Sequence, residues 1–126
     1  MGAIRKFKYF KLSEFDSPDD IGSGENMDTE FVIKLDEARE IAGIPFKITS
    51  GYRTPAHNTA VNGVRSSSHM NIPCNASDIF IKDSKSRWII LNALIQVGFN
   101  RIGIGSNFIH VDTDKNKYGK VVWTYN

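Results

Sequence analysis

Three residues have the side chains to share one piece of chemistry: His69 in "SSSHMNIPC", Asp78 in "ASDIFI" and His110 in "FIHVDT". Two imidazoles and a carboxylate offer three nitrogen and oxygen ligands. That is the donor set of a catalytic zinc site, which keeps a fourth tetrahedral position for solvent, whereas structural sites close with four protein ligands and favour thiolates. Zinc in such a set polarises a carbonyl and activates water. From spacing alone, the same residues also read as separate polar positions at strand ends.

Whether they meet depends on the elements that carry them. Side chains alternate faces along a strand, so in "FIHVDT" (108–113) His110 and Asp112 share one face and Ile109 and Val111 the other. In "SDIFIK" (77–82), Asp78 and Phe80 fall together, opposite Ile79 and Ile81. Adjacent strands would set Asp78 beside His110 on the face turned away from the helices. His69, just upstream, would reach the same spot.

Further strand-like runs are "FKIT" (46–49), "RIGI" (101–104) and "VVWTY" (121–125), with "DKNKYG" (114–119) expected as a hairpin loop joining the last two strands. A helix is expected behind an Asp28 N-cap, with Phe31, Leu35, Ala38 and Ala42 as its apolar stripe and Gly43 as its stop. A second should run from Ser84 to Val97, with Trp88, Leu91, Leu94 and Ile95 inward and Gly98 as terminator, and a short one should start near Pro55. Residues 12–28 are rich in Gly, Ser, Asp and Pro and read as a turn-rich lead-in. Short Gly, Asn and Asp punctuation suits an antiparallel sheet. The expected fold class is therefore α+β, a small antiparallel sheet with helices packed on one face.

With 126 residues and no repeat or long linker, the chain reads as one domain (1–126), expected to be a monomer. Its 40% hydrophobic and 24% charged content is ordinary for a globular protein. A formal net charge of +2 argues against a nucleic-acid partner. Arg5, Lys6, Lys8 and Lys11, interleaved with Phe7, Tyr9 and Phe10, read as a solvated first strand. The single cysteine, Cys74, excludes an internal disulfide. No apolar run approaches the roughly 20 residues of a membrane span. "MGAIRKFKYF" has no signal-peptide core and lacks the Ser or Thr of a myristoylation signal, so synthesis in the cytoplasm without an encoded export route is expected.

"ITSGYRTPAHNTAVNGV", then S-x-H, then "ASDI", then "GFNRIGIGSNFIHVD", in this order, resemble the zinc D-Ala-D-Ala carboxypeptidase family. That family cleaves peptidoglycan, shares a fold with the hedgehog signalling domain and includes many phage lysins. "SEFDSPDDIGSGENMD" and "KVVWTY" resemble its small phage and bacterial members, so the likeness spans nearly the whole chain. It implies that His69, Asp78 and His110 hold Zn2+ and that Arg53 pairs with a carboxylate or carbonyl of the substrate. It places Ser67 at a hydrogen bond near the site, whereas Tyr52 packs and His57 caps or packs beneath its loop. The implied activity is hydrolysis of peptidoglycan stem peptides next to a D-amino acid, as a D,D-carboxypeptidase or endopeptidase of endolysin type acting on the cell wall after release.

The chain departs from the family pattern in two places. The link from His69 to Asp78 is two residues longer than H-x-x-G-x-A-x-D, and Cys74 stands where the glycine belongs. Cys74 is either an inert loop thiol or an added metal ligand, and the extra residues are expected to reroute the loop. Many relatives also carry an acidic general base three positions before the last histidine, where this chain has Asn107. Asp112 is either its substitute or a carboxylate that orients an imidazole, and Asp114 is a weaker candidate. The alternative function is a catalytically lapsed, zinc-stabilised binding domain.

Overall fold

Asp28 starts the longest helix by accepting a hydrogen bond from the Phe31 N–H at 3.0 Å, and Gly43 ends it in the left-handed conformation at φ 69°. The structure is a computed structural model and describes residues 7–125. This helix, α1 (Thr29–Ala42), buries Phe31, Val32, Leu35 and Ala38. It packs against α3 (Ser84–Gln96), which is capped by Asp83. A short α2 spans Pro55–Ala60, with proline in the first turn, where a missing N–H is harmless.

The inward face of α3 differs from the expected one. Ile90, Ala93 and Leu94 are buried, whereas Trp88 and Ile95 are 68% and 53% exposed. Apolar residues occupy most of this helix's circumference, so several stripes fit helical spacing, and docking on α1 selects Ile90–Ala93–Leu94.

Five strands form one sheet in the order β1-β2-β4-β3-β5. They are β1 (Ile48–Ser50), β2 (Ala76–Phe80), β3 (Arg101–Ile104), β4 (Phe108–Asp112) and β5 (Val121–Thr124). All pairings are antiparallel except β3–β5, which is parallel, so the sheet is mixed rather than wholly antiparallel. Residues 114–119 accordingly do not close a hairpin. Both edges of β4 are taken, by β2 and β3, and β5 instead crosses to the free edge of β3.

Ile79, Ile102, Ile109 and Val111 join Phe31, Leu35, Leu94 and Phe99 in one buried cluster. The lead-in forms 3-10 turns at Leu12–Phe15 and Ser23–Asn26. Residues 7–11 are irregular rather than a strand: Phe10 is buried, and the Lys8 and Tyr9 N–H groups donate to Asp36 on α1. Arg5 and Lys6 lie outside the described residues. No helix among the described residues is long and apolar enough to cross a membrane.

Candidate metal centre

The β2–β4 register sets Asp78 directly opposite His110, with Ile79 opposite Ile109 on the core side. His110 Nε2 lies 2.7 Å from Asp112 Oδ2, and the carboxylate can only accept, so this nitrogen carries a proton and donates. Its Nδ1 faces Asp78 Oδ1, 2.9 Å away, and in the neutral ring this is the bare nitrogen.

His69 arrives on a different kind of scaffold, a 3-10 turn at Ser68–Met70. Ser67 caps this turn, its Oγ accepting from the His69 N–H at 3.2 Å. The Arg53 N–H donates to the His69 carbonyl at 2.8 Å. His69 Nδ1 lies 2.7 Å from the Gly51 carbonyl, which can only accept, so this nitrogen carries the proton. The bare Nε2 then faces His110 Nδ1 at 3.2 Å and Asp78 Oδ1 at 3.4 Å.

His69, Asp78 and His110 thus offer one ligand atom each, all within 4.8 Å of one another. With both rings neutral, the outer partners set tautomers whose lone pairs converge, and neither imidazole then has a hydrogen to give the other. This arrangement fits a cation, and nitrogen and carboxylate donors with hydrogen-bonded second partners are what zinc sites use.

Burial would raise the Asp78 carboxyl pKa, but the close ring nitrogens of His110 and His69 and any charge on those rings hold it well below the carboxylate range. Burial depresses His69. In His110, burial acts in the same direction, but Asp112 and Asp78 outweigh it and raise the ring's pKa. Asp112, despite burial, is held low by hydrogen bonds from His110 and Arg101.

The matching family model is that of peptidase M15, over residues 8–112, a span that contains all three ligand candidates. The chain belongs to the peptidase M15 family. Its α+β fold is consistent with that membership, and the family together with the His–Asp–His group supports a metallopeptidase. A search of curated proteins finds no match.

In this M15 peptidase Arg53 is built in from three sides. Its Nε donates to Ser50 Oγ and one terminal nitrogen to Asn58 Oδ1, both at 3.1 Å, while the other faces Asp78 Oδ2 at 3.5 Å. Asn58 can reach it because Gly63 has no side chain: a Cβ there would lie 2.0 Å from Asn58 Oδ1. Asp112 is buried and fully engaged. Besides His110, it accepts from Arg101 Nε at 2.6 Å and from the Asp114 N–H at 3.0 Å. Asp114 accepts from Ser68 and Asn71 side chains and holds the loops together rather than joining the three ligand candidates.

Asn107 is exposed, on the turn before β4, and carries no titratable group. His57 donates its N–H to Thr54 within α2 and is outside the group. Tyr52 is buried in the core. The Cys74 thiol points at the carbonyls of His69 and Ala76, and burial pushes its pKa up to about 12. It is a core residue, not a fourth ligand. Cys74 is not among the residues with positive φ; the longer loop avoids that strain by docking on the lead-in, through Cys74 N–H to Asn26 and Asp28 N–H to the Cys74 carbonyl.

A cleft of about 470 Å3 opens over the centre, lined by Arg53, His69, Asp78, His110, Trp123 and Tyr125 among others. The two aromatics were not anticipated. The Trp123 ring lies 5.6 Å from that of His110, with the Arg101 guanidinium 5.0 Å from the indole. Gly103, paired with both His110 and Trp123, permits this, because a Cβ would come within 2.6 Å of the indole nitrogen. Alternation in "VVWTY" puts Trp123 and Tyr125 on one face, but only the β3–β5 pairing assigns that face to the cleft.

Proposed function

We propose that the chain is a zinc-dependent peptidase that hydrolyses peptidoglycan stem peptides next to a D-amino acid. The observation that carries this is the convergence of His69 Nε2, Asp78 and His110 Nδ1 at one wall of a cleft, in a chain of the M15 family. Zinc held by these three residues supplies Lewis acidity toward a peptide carbonyl and the attacking water.

The chain's own residues do the remaining work. Gly51 and Asp112 hold the two imidazoles in the tautomers that turn bare nitrogens inward. Arg53, with five N–H donors, keeps hydrogens beyond those aimed at Ser50, Asn58 and Asp78 and uses them to orient a substrate carbonyl or carboxylate. Ser67 positions the turn that carries His69 and borders the cleft. Of the two roles open to Asp112, we assign it orientation of His110, since its oxygens already accept three hydrogen bonds. The setting we propose is that of a monomeric lysin, made in the cytoplasm and acting on the wall after release.

One observation favours a second reading, the lapsed binding domain. Among the described residues lining the cleft, Asp78 and Asp112 are the carboxylates, and both are committed to partners, which leaves no free acidic base. Purified protein assayed for zinc and for hydrolysis separates the two. The enzyme reading expects one equivalent of zinc, release of D-Ala or new amine ends from peptidoglycan, and loss of both on chelation or in His110→Ala. Folded, zinc-loaded protein with no turnover across a panel of stem peptides overturns it in favour of binding.

A further inference from the structure

One member of the ligand group, Asp78, borders two hollows, whereas His69 and His110 line only the first. The first is the 470 Å3 cleft, which extends toward β5. The second, about 320 Å3, lies toward β1 and is bordered by Thr49, His57, Phe80 and Asn107. Arg53, Val61, Asp78 and Phe108 line both. β1 and β5 are opposite edges of the sheet, so a ligand filling both hollows crosses the sheet over Asp78 and His110. Each hollow alone reaches the range of about 300–1,000 Å3 typical of small-ligand sites.

Cations along this path lie beside carboxylates. Among the described residues, the lysines and arginines lining the two hollows are Arg53, Arg101 and Lys117. Each lies near a carboxylate, Asp78 at 3.5 Å, Asp112 at 2.6 Å and Asp114 at 3.8 Å, the first two of which also serve the metal centre, Asp78 as a ligand candidate and Asp112 through His110. An internal amide carries no net charge and needs only donors and acceptors. The spare N–H groups of Arg53, at the junction of the hollows, suit its carbonyl.

Resting on the peptidase reading, we infer that the chain cuts an internal peptide bond, with substrate residues in both hollows, rather than trimming a C-terminal residue. Hydrolysis breaks the amide C–N bond of a peptide that continues on both sides. The water oxygen goes to the carbonyl carbon and the protons to the departing amine, giving a new carboxylate and a new ammonium.

The test gives the full, zinc-supplemented chain three substrates: a stem pentapeptide with a free C-terminus, the same peptide with a C-terminal amide, and a cross-linked stem-peptide dimer. Mass spectrometry locates the cut. Amidation should change kcat/KM by less than about threefold, the dimer should exceed the free pentapeptide by about tenfold or more, and both fragments should be longer than one residue. Asn107→Trp and, separately, Thr49→Trp narrow the smaller hollow from exposed positions outside the catalytic group. Each should remove the dimer's advantage while zinc content and thermal unfolding stay unchanged. Free D-Ala as the sole product, with amidation lowering kcat/KM by about a hundredfold or more, overturns the inference and leaves the peptidase reading standing. No cleavage of any substrate by zinc-loaded protein overturns both.

Discussion

Asp78 and His110 face each other across a strand pair, held by the same ladder that aligns Ile79 with Ile109 in the core. His69 and Arg53 reach the same point from irregular chain, through a capped turn, two backbone carbonyls and the amide of Asn58. The strand half is positioned by register, where a slip of one residue would turn every side chain to the other face. The loop half is positioned by individual hydrogen bonds, each of which can be removed alone. The site is thus a rigid frame with a docked part, and the two halves should fail differently.

The largest difference is expected on removing the ligands themselves. His69→Ala, Asp78→Ala and His110→Ala should each abolish stoichiometric zinc binding, measured by elemental analysis. Asp78→Ala should in addition destabilise the fold by about 3–5 kcal/mol in denaturant titrations, because it strips a largely buried carboxylate from Arg53. His69→Ala should leave the sheet's stability closer to that of the parent. Equal losses in the two variants would erase the distinction between frame and docked part.

Asp112→Asn tests the frame's outer support. It preserves shape but removes the charge that holds His110 and Arg101, and zinc affinity should fall about 10–100-fold in a chelator competition.

Gly51→Ala tests the docked part. The added Cβ would meet the Phe15 Cα and Cβ at 2.6 Å, so a loss of about 1–3 kcal/mol is expected, with weaker zinc binding as the carbonyl behind His69 shifts. Ser67→Ala, which removes only the cap of that turn, should cost about 1 kcal/mol.

The smallest effect sharpens the boundary between site and core. The Cys74 pKa is raised to about 12 by burial, so below that pH the thiol stays protonated, and a thiol reagent needs the thiolate. At pH 8 the native protein should resist labelling, and denatured protein should label fully. Rapid native labelling would place Cys74 at an open site rather than in the core.

How much of this could be read beforehand follows the same division. Alternation in "FIHVDT" and "SDIFIK" was enough to put Asp78 and His110 on the face turned from the core, because period-two burial leaves one solution for each strand, but it did not make the two strands neighbours. The cap at Asp28 and the stop at Gly43 were equally local. The partner of β5 was not local: nothing in "VVWTY" records that β4 has no free edge, so a hairpin was expected and Trp123 was missed. The burial of Ile90 in place of Trp88 was decided by α1, and a helix apolar on most sides carries little mark of it. Asp112 offered two roles until Arg101 and the Asp114 N–H were seen to occupy its oxygens. The resemblance to a known family supplied what periodicity could not, the convergence of His69 with the strand pair.

The docking of Cys74 onto Asn26 and Asp28 ties the turn bearing His69 to a stretch with little regular structure of its own. Two equilibria are thereby coupled: whatever pins the imidazole also tightens the seat of residues 12–28, and by thermodynamic reciprocity a well-seated lead-in returns the same factor in ligand affinity. Occupancy of the centre would then register at the opposite side of that loop, as slowed amide exchange in a segment that touches no ligand atom.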